Sequence, residues 1–397
     1  MIQQYRKNYN TNFTSEKHEA LVQEIEDRYG HRPPFRIAET PLFIGKAKKA
    51  KLIDACEQII DVIVQPDFKK KSKGALLNGQ VVPNETDHTT FLQMDFGICR
   101  AANGELMPQL IEVQGFPSLY FYQYTVSKLY RKYFDIPEHL SPLFGGMNGK
   151  EYLEMLRLII VGDEKPENVI LLEVEPEKQA TQIDFRICKE LLGVPYKCVT
   201  DLKCEGHDVY YEENGRKIKV HRIFNRVIFD ELIRRDDLKR DFIFTEEHDV
   251  EWIGHPNWFF RISKHTLPLL GHIPYVPNSY FLNDVIDNVP ADLENYVLKP
   301  LYSFSGTGVI INVNQYDIDS IKDPENYILQ RKVEYAPVIE TPNIPAKCEI
   351  RMLCIWEAGE DRPKIVNNLA RLSKGEMIGV KYNKDKDWVG GSVSYFE

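Results

Sequence analysis

The chain has 397 residues, enough for roughly two to three domains, and 43% hydrophobic with 27% charged residues excludes wholesale disorder. Its net charge of −9, from 50 basic and 59 acidic residues, argues against a general nucleic-acid binder. No apolar signal core follows Met1, and the runs Leu156 to Val161 and Val169 to Leu172 are far too short to span a bilayer. The seven cysteines include no C-x-x-C pair, which points to cytosolic thiols rather than a disulfide framework or zinc site. The expectation is a cytoplasmic globular enzyme that binds neither nucleic acid nor membrane.

In chain order, Leu21, Ile25 and Tyr29 recur at helical spacing and predict an amphipathic helix over 15–29 with Ser15 as N-cap. A second helix is expected near Lys48 to Val64. Short strands then follow, Phe91 to Phe96 and Gln109 to Gln114, joined through Asn103-Gly104, a strong hairpin signal. Helices are expected around 117–132 and 150–158. Asn168 to Val174 reads as a strand buried on both faces. After it come a helix from Lys178 to Leu192 ending at Gly193, a strand at Tyr196 to Val199, a hairpin turning at Asn214-Gly215, and a strand at Val220 to Phe224. That strand–helix–strand order suggests a small open α/β unit. From about His255 a third region opens with a helix near Ile262 to Leu270 and continues mostly as strands, with a proline-rich loop at Ala336 to Ala346.

Four constellations could carry chemistry. In Tyr296-Val-Leu-Lys-Pro-Leu-Tyr-Ser-Phe-Ser-Gly-Thr-Gly-Val309, a strand ends in Lys299 and a small-residue loop follows, so backbone N–H groups and a lysine could meet an anion; a plain hairpin is the competing reading. Asp95 and Glu112 lie on the two strands of the Asn103-Gly104 hairpin, and Gln114 shares a face with Glu112. Hard oxygen ligands of this kind suit Mg²⁺, unless Glu112 faces solvent on an edge strand. Lys332, after Tyr327-Ile-Leu-Gln330, could mark a hinge whose backbone reads an adenine edge, or a surface strand end. In the C-terminal block, Glu349-Ile-Arg351, Arg371 and Gly390-Gly391 combine an arginine able to clamp carboxylate or phosphate with a backbone that must approach something closely. A structural salt bridge and a turn are the alternatives there. No Walker A loop, dinucleotide fingerprint, G-x-S-x-G or H-E-x-x-H is present.

In this order the pieces resemble the circularly permuted branch of the ATP-grasp enzymes, which holds eukaryotic-type glutathione synthetase and glutathionylspermidine synthase. Leu110-Ile-Glu-Val-Gln114 is similar to the acidic hairpin, Val297-Leu-Lys-Pro300 with Ser305-Gly-Thr-Gly-Val309 to the phosphate-covering loop, and Leu329 to Val333 to the adenine hinge. Three positions depart from the pattern: Gln93 where an arginine is usual, Gln114 for a metal-binding asparagine, and Ser303 for a glycine or metal-binding glutamate. The resemblance implies an α+β, ATP-grasp fold in circularly permuted order with an inserted small α/β, Rossmann-like substrate domain. It divides the chain into residues 1–160 with the acidic hairpin, 161–255 as the substrate domain, and 256–397 as the ATP-grasp domain.

It also implies an ATP-dependent carboxylate–amine ligase acting through an acyl phosphate, with a kinase-like phosphotransferase or a degenerate nucleotide-binding protein as alternatives. ATP would meet Lys264, Lys299, Ser305, Gly306, Thr307, Gly308, Gln330, Arg331, Lys332 and Val333. Mg²⁺ would be held by Asp95, Glu112 and Gln114. Arg371 and Lys299 would be catalytic, while Arg226, Arg371, Gly390 and Gly391 would contact the small-molecule carboxylate and amine substrates. Homodimerisation is left open.

Overall fold

The acidic hairpin lies in the sheet around which the rest of the chain is layered. The computed structural model describes residues 1–101, 103–303, 307–375, 378 and 383–397. In it Phe91–Arg100 and Leu106–Gln114 form an antiparallel hairpin, and Lys347–Ile355, Lys364–Ser373 and Gly390–Ser392 extend it into a five-stranded antiparallel sheet. Side chains alternate across a pleated sheet, so the sequence divides into two faces. Leu92, Met94, Phe96, Ile350, Met352, Ala370 and Leu372 pack in one core with Leu52, Ile59 and Ile60 of the helix Lys46–Ile63. The opposite face carries Gln93, Asp95, Glu349, Arg351 and Arg371, placed side by side by the register Arg351↔Asp95, Glu349↔Arg371 and Leu353↔Gln93.

A second sheet pairs Ser279–Phe281, Tyr327–Arg331, Tyr296–Pro300 and Ile310–Ile311, all antiparallel. Tyr296, Leu298 and Leu329 point into a small core with Leu282, Leu293 and Ile318. By the same alternation Val297, Lys299 and Gln330 occupy the other face.

The middle of the chain builds a parallel sheet ordered Glu251–Ile253, Arg222–Asn225, Val169–Glu173, Tyr196–Cys198. Val169–Glu173 is buried throughout, as a strand covered on both faces must be. From it the chain passes through the helix Gln182–Leu192 to one neighbouring strand and later returns to the other side. The strand order therefore reverses between Val169–Glu173 and Arg222–Asn225, the kind of place where open α/β sheets leave a crevice beyond their carboxyl ends. The Asn214-Gly215 turn joins Asp208–Glu213 to Arg216–Lys219 in a separate three-stranded sheet, with both turn residues at positive φ (51° and 73°) as a two-residue hairpin requires.

The amphipathic helix forms over Ser15–Tyr29, but its cap is Thr14, whose side chain accepts from Lys17 N–H; Ser15 is already helical. The helix expected near 262–270 is two pieces, an α-helical Pro256–Arg261 and a 3₁₀ segment Lys264–Leu270 that contains Pro268. Ser263 breaks them apart and caps the second, which leaves Lys264 as its first residue. No helix among the described residues is long and apolar enough to cross a membrane.

Candidate functional site

The polar face of the central sheet and the lysine-bearing face of the second sheet meet at the acidic hairpin. Lys299 spans the gap: its ammonium donates to the carbonyl of Ile111 at 3.2 Å and to Gln330 Oε1 at 2.5 Å. Burial costs the ammonium its hydration, and its pKa is pulled down to about 8, with Glu112 opposing the shift and Lys264 adding to it. Lys264 approaches from the 3₁₀ segment, where its Nζ donates to Ser303 Oγ at 3.1 Å and to the Ser303 carbonyl. Burial also lowers its pKa, against the pull of Glu112 and Asp230. Gln330 is buried; its oxygen serves Lys299, and its Nε2 has no partner. Two dehydrated ammonium groups and an unsatisfied amide donor therefore share one place, an arrangement that an anion would relieve.

Across the cleft the carboxylates are already engaged. Arg351 donates from Nε and Nη2 to the two oxygens of Asp95, at 2.5 and 2.7 Å, and from Nη1 to Gln93 Oε1 at 3.0 Å. Arg371 adds a bond to Asp95 Oδ2 at 2.6 Å and one to Glu349. Asp95 is buried, which opposes its charge, yet the two guanidinium groups more than offset that and hold its carboxyl below the usual range. Glu349 shows the reverse: burial and the neighbouring Asp95 charge push its pKa up, although Arg371 pulls it down and the Tyr335 hydroxyl donates to it at 2.9 Å. Gly97 makes that contact possible, because a Cβ there would lie 2.7 Å from the Tyr335 ring. Arg371 keeps one buried donor, Nε, without a partner.

Gln93 stands where the family resemblance calls for arginine, and Arg351, from the strand directly opposite, fills the space and bonds to it. Glu349 was legible through the family resemblance, Arg351 only as a base two residues from it on one strand face.

The residues expected to hold Mg²⁺ do not present a donor set that fits it. Asp95 has both oxygens committed to arginines. Glu112, half-buried and in register with Asp95, faces the charges of Lys264, Lys299 and Arg371. Gln114 lies beside Gln93 and brings a neutral amide. Among the described residues no three His, Cys, Asp or Glu side chains form a group able to hold a metal.

Other expected contacts are distributed differently. Of the hinge residues only Gln330 points to the cleft. Arg331 is exposed and pairs with Asp292 at 3.1 Å, Lys332 donates to the Glu294 carbonyl and Asn312 Oδ1, and Val333 lies just past the strand end. The backbone N–H groups of Arg331 and Lys332 are bound to Asn278 and Asn295. Thr307 and Gly308 are exposed beyond Pro300, while Ser305 and Gly306 lie outside the described residues. Gly390 and Gly391 make their close approach to the protein's own N-terminal segment: Gly391 N–H donates to the Arg36 carbonyl at 2.9 Å, and a Cβ on Gly390 would stand 2.3 Å from that oxygen.

Arg226 follows the strand Arg222–Asn225 at the switch point of the parallel sheet. It is 2% exposed, lies over Phe116 and Phe185 with its guanidinium carbon 4.7 and 5.2 Å from their ring centres, and faces Asp184 at 3.6 Å. Its Nε and Nη1 have no hydrogen-bond partner. Burial lowers its pKa, and the charge of Arg351 adds to that shift while Asp184 and Glu173 oppose it. Asp184 also accepts from the N–H of Tyr122 at 2.8 Å, which ties Arg226 to the first turn of the helix Tyr120–Tyr133. Glu173 ends the neighbouring strand, where burial raises its carboxyl to about 8. Neither acid stood out in the sequence.

Comparison with known proteins bears on the architecture. No family model matches the chain, and no curated protein sequence does. The fold is similar to that of a glutathione synthetase-like effector from Globodera pallida. That apo structure matches with a TM-score of 0.55 at 9% sequence identity, covering 96% of this chain and 97% of the other. The likeness extends over nearly all of both chains and concerns fold alone.

Proposed function

We propose that the chain is an ATP-grasp protein of the circularly permuted type and that its cleft binds ATP to join a small-molecule carboxylate to an amine. The observation that carries this reading is the convergence of Lys264, Lys299 and the unpartnered Gln330 amide opposite Arg371. These groups fit a polyphosphate, since each would regain on binding what burial has removed. The likeness in fold to a glutathione synthetase-like protein supports the same reading.

In the ligase reaction ATP supplies the phosphoryl group that activates the carboxylate, and the amine displaces phosphate. Lys299 and Lys264 neutralise phosphate charge, and Arg371 offers its remaining donor to the reacting carboxylate or phosphoryl oxygen. Arg226, at the switch point of residues 161–255, anchors the substrate's far end through Nε, which has neither a hydrogen bond nor an ion pair among the described residues. Here positioning and fixed charge would do most of the catalysis.

A second reading is a nucleotide-binding protein that has lost turnover, and the engagement of Asp95 by two arginines favours it. ADP release with pooled amino acids and polyamines separates the two. Amine-dependent release supports the ligase, amine-independent release a phosphotransferase, and ATP binding without release the binder. No ATP binding at all, with Lys299→Ala indistinguishable from the parent chain, would remove the nucleotide site itself.

A further inference from the structure

We infer that this cleft binds the nucleotide's polyphosphate without a divalent cation, because the chain's own guanidinium and ammonium groups occupy the electrostatic place that a metal would take. The inference rests on the reading of the cleft as a nucleotide site and adds to it a loss of metal dependence.

Among the described residues three carboxylates and four cations face one another here: Asp95, Glu112 and Glu349 against Arg351, Arg371, Lys264 and Lys299. Asp230, the other acid that Lys264 senses, has its own partner in Arg234 at 3.5 Å. Among these residues the positive groups outnumber the carboxylates they face. A divalent ion normally bridges carboxylates and phosphates and cancels charge between them. To recruit Asp95 it would have to displace a bidentate guanidinium, stranding Arg351 in a buried place with an uncompensated charge. Held to Glu112 alone, it would sit among Lys264, Lys299 and Arg371. Position 303 is a serine and adds no carboxylate, and its hydroxyl oxygen accepts from Lys264.

The role of Arg351 follows from register. It lies directly across from Asp95 and reaches Gln93 as well, so one side chain closes the carboxylate and uses the space left by the shorter residue. Removing it should reopen Asp95 to an ion.

The test is calorimetric titration of ATP into the full chain, once in EDTA and once in excess Mg²⁺. The expected dissociation constants agree within about threefold, or the EDTA value is the tighter, because free ATP carries more charge for the lysines to meet. Tightening by about tenfold or more in Mg²⁺ would overturn the inference and leave the nucleotide site standing. No binding in either condition would overturn both. Arg351→Gln supplies a second readout. If it folds, it should bind ATP with a Mg²⁺ dependence that the parent chain lacks, and Mn²⁺ titrated with ATP should show a protein-bound signal by electron paramagnetic resonance. A Mn²⁺ signal already present in the parent complex would contradict the proposal without relying on the variant.

Discussion

Arg351 and Asp95 face each other across neighbouring strands of the central sheet, and the guanidinium takes both oxygens of the carboxylate. The pair is buried, and Arg371 shares the same carboxylate from the next strand. Buried charges are tolerated only when geometry and hydrogen bonds compensate the lost hydration. Here three strands supply that compensation together, which makes the network a lock on the register of the sheet as well as the floor of the cleft.

Asp95→Asn should therefore cost about 3–5 kcal/mol, because it leaves Arg351 buried without its anion. Adding Arg351→Gln to that variant should recover a large part of the loss, since the stranded cation goes with it. Urea unfolding of the two single variants and the double variant measures this coupling. Simple additivity of the two losses would mean that the pair is not the energetic unit described here.

The ammonium of Lys299, with a pKa of about 8, makes nucleotide binding depend on pH with a definite sign. Its neighbours are Glu112, Lys264, Glu349 and Asp95. Below pH 8 the lysine is charged and affinity should be flat. Above it the free protein is increasingly neutral while the bound phosphate favours the cation, so affinity should fall by up to about tenfold per pH unit. Binding near pH 8 should also take up protons. Calorimetry in buffers of different ionisation heat reads that uptake, and a result of zero would mean that Lys299 is not the group that meets the anion.

Lys299, Glu112 and Arg371 could be read from the sequence because each ends or interrupts a local apolar run, and Lys264 only through the family resemblance; the structure brings all four to one cleft. A structural salt bridge was one reading of Arg371, but its sharing of Asp95 with Arg351 could not be read. It depends on strand register between residues far apart in the chain, and an isolated Glu349-Ile-Arg351 carries no sign of what lies opposite. Within the expected hinge the side-chain directions were illegible for a related reason: alternation turns Arg331 outward and Gln330 inward only once the partner strand is fixed. At the parallel sheet, Glu173 falls inside a strand read as buried on both faces, but nothing in the sequence shows what surrounds its carboxylate. Its burial comes from the tertiary packing around Arg226.

Glu173 should make stability fall as pH rises. Its carboxyl titrates at about 8 in the folded chain, raised by burial from an ordinary 4.5, so the folded state binds more protons between those values. The penalty is absent below about pH 4.5 and complete above pH 8, where it reaches on the order of 3–5 kcal/mol. Glu173→Gln, which cannot ionise, should be near neutral at low pH and stabilising at pH 8 and above. Parallel pH slopes for the two proteins in urea unfolding would show that Glu173 is ionised in the fold.

The Gly390-Gly391 pair separates a structural role from a functional one. At Gly390, φ is +122° and a Cβ would come within 2.3 Å of the Arg36 carbonyl oxygen; at Gly391 the nearest atom to a Cβ, that same oxygen, is 3.8 Å away. Gly390→Ala must adopt backbone geometry reserved for glycine and push back the segment that pairs with this strand edge, a loss of about 3 kcal/mol or more. Gly391→Ala has ordinary contact distances and should cost little. ATP affinity of the folded protein should be unchanged in both, since neither glycine faces the lysines. If Gly390→Ala kept its stability and lost ligand affinity instead, the close approach would belong to a substrate and the packing against Arg36 would be incidental.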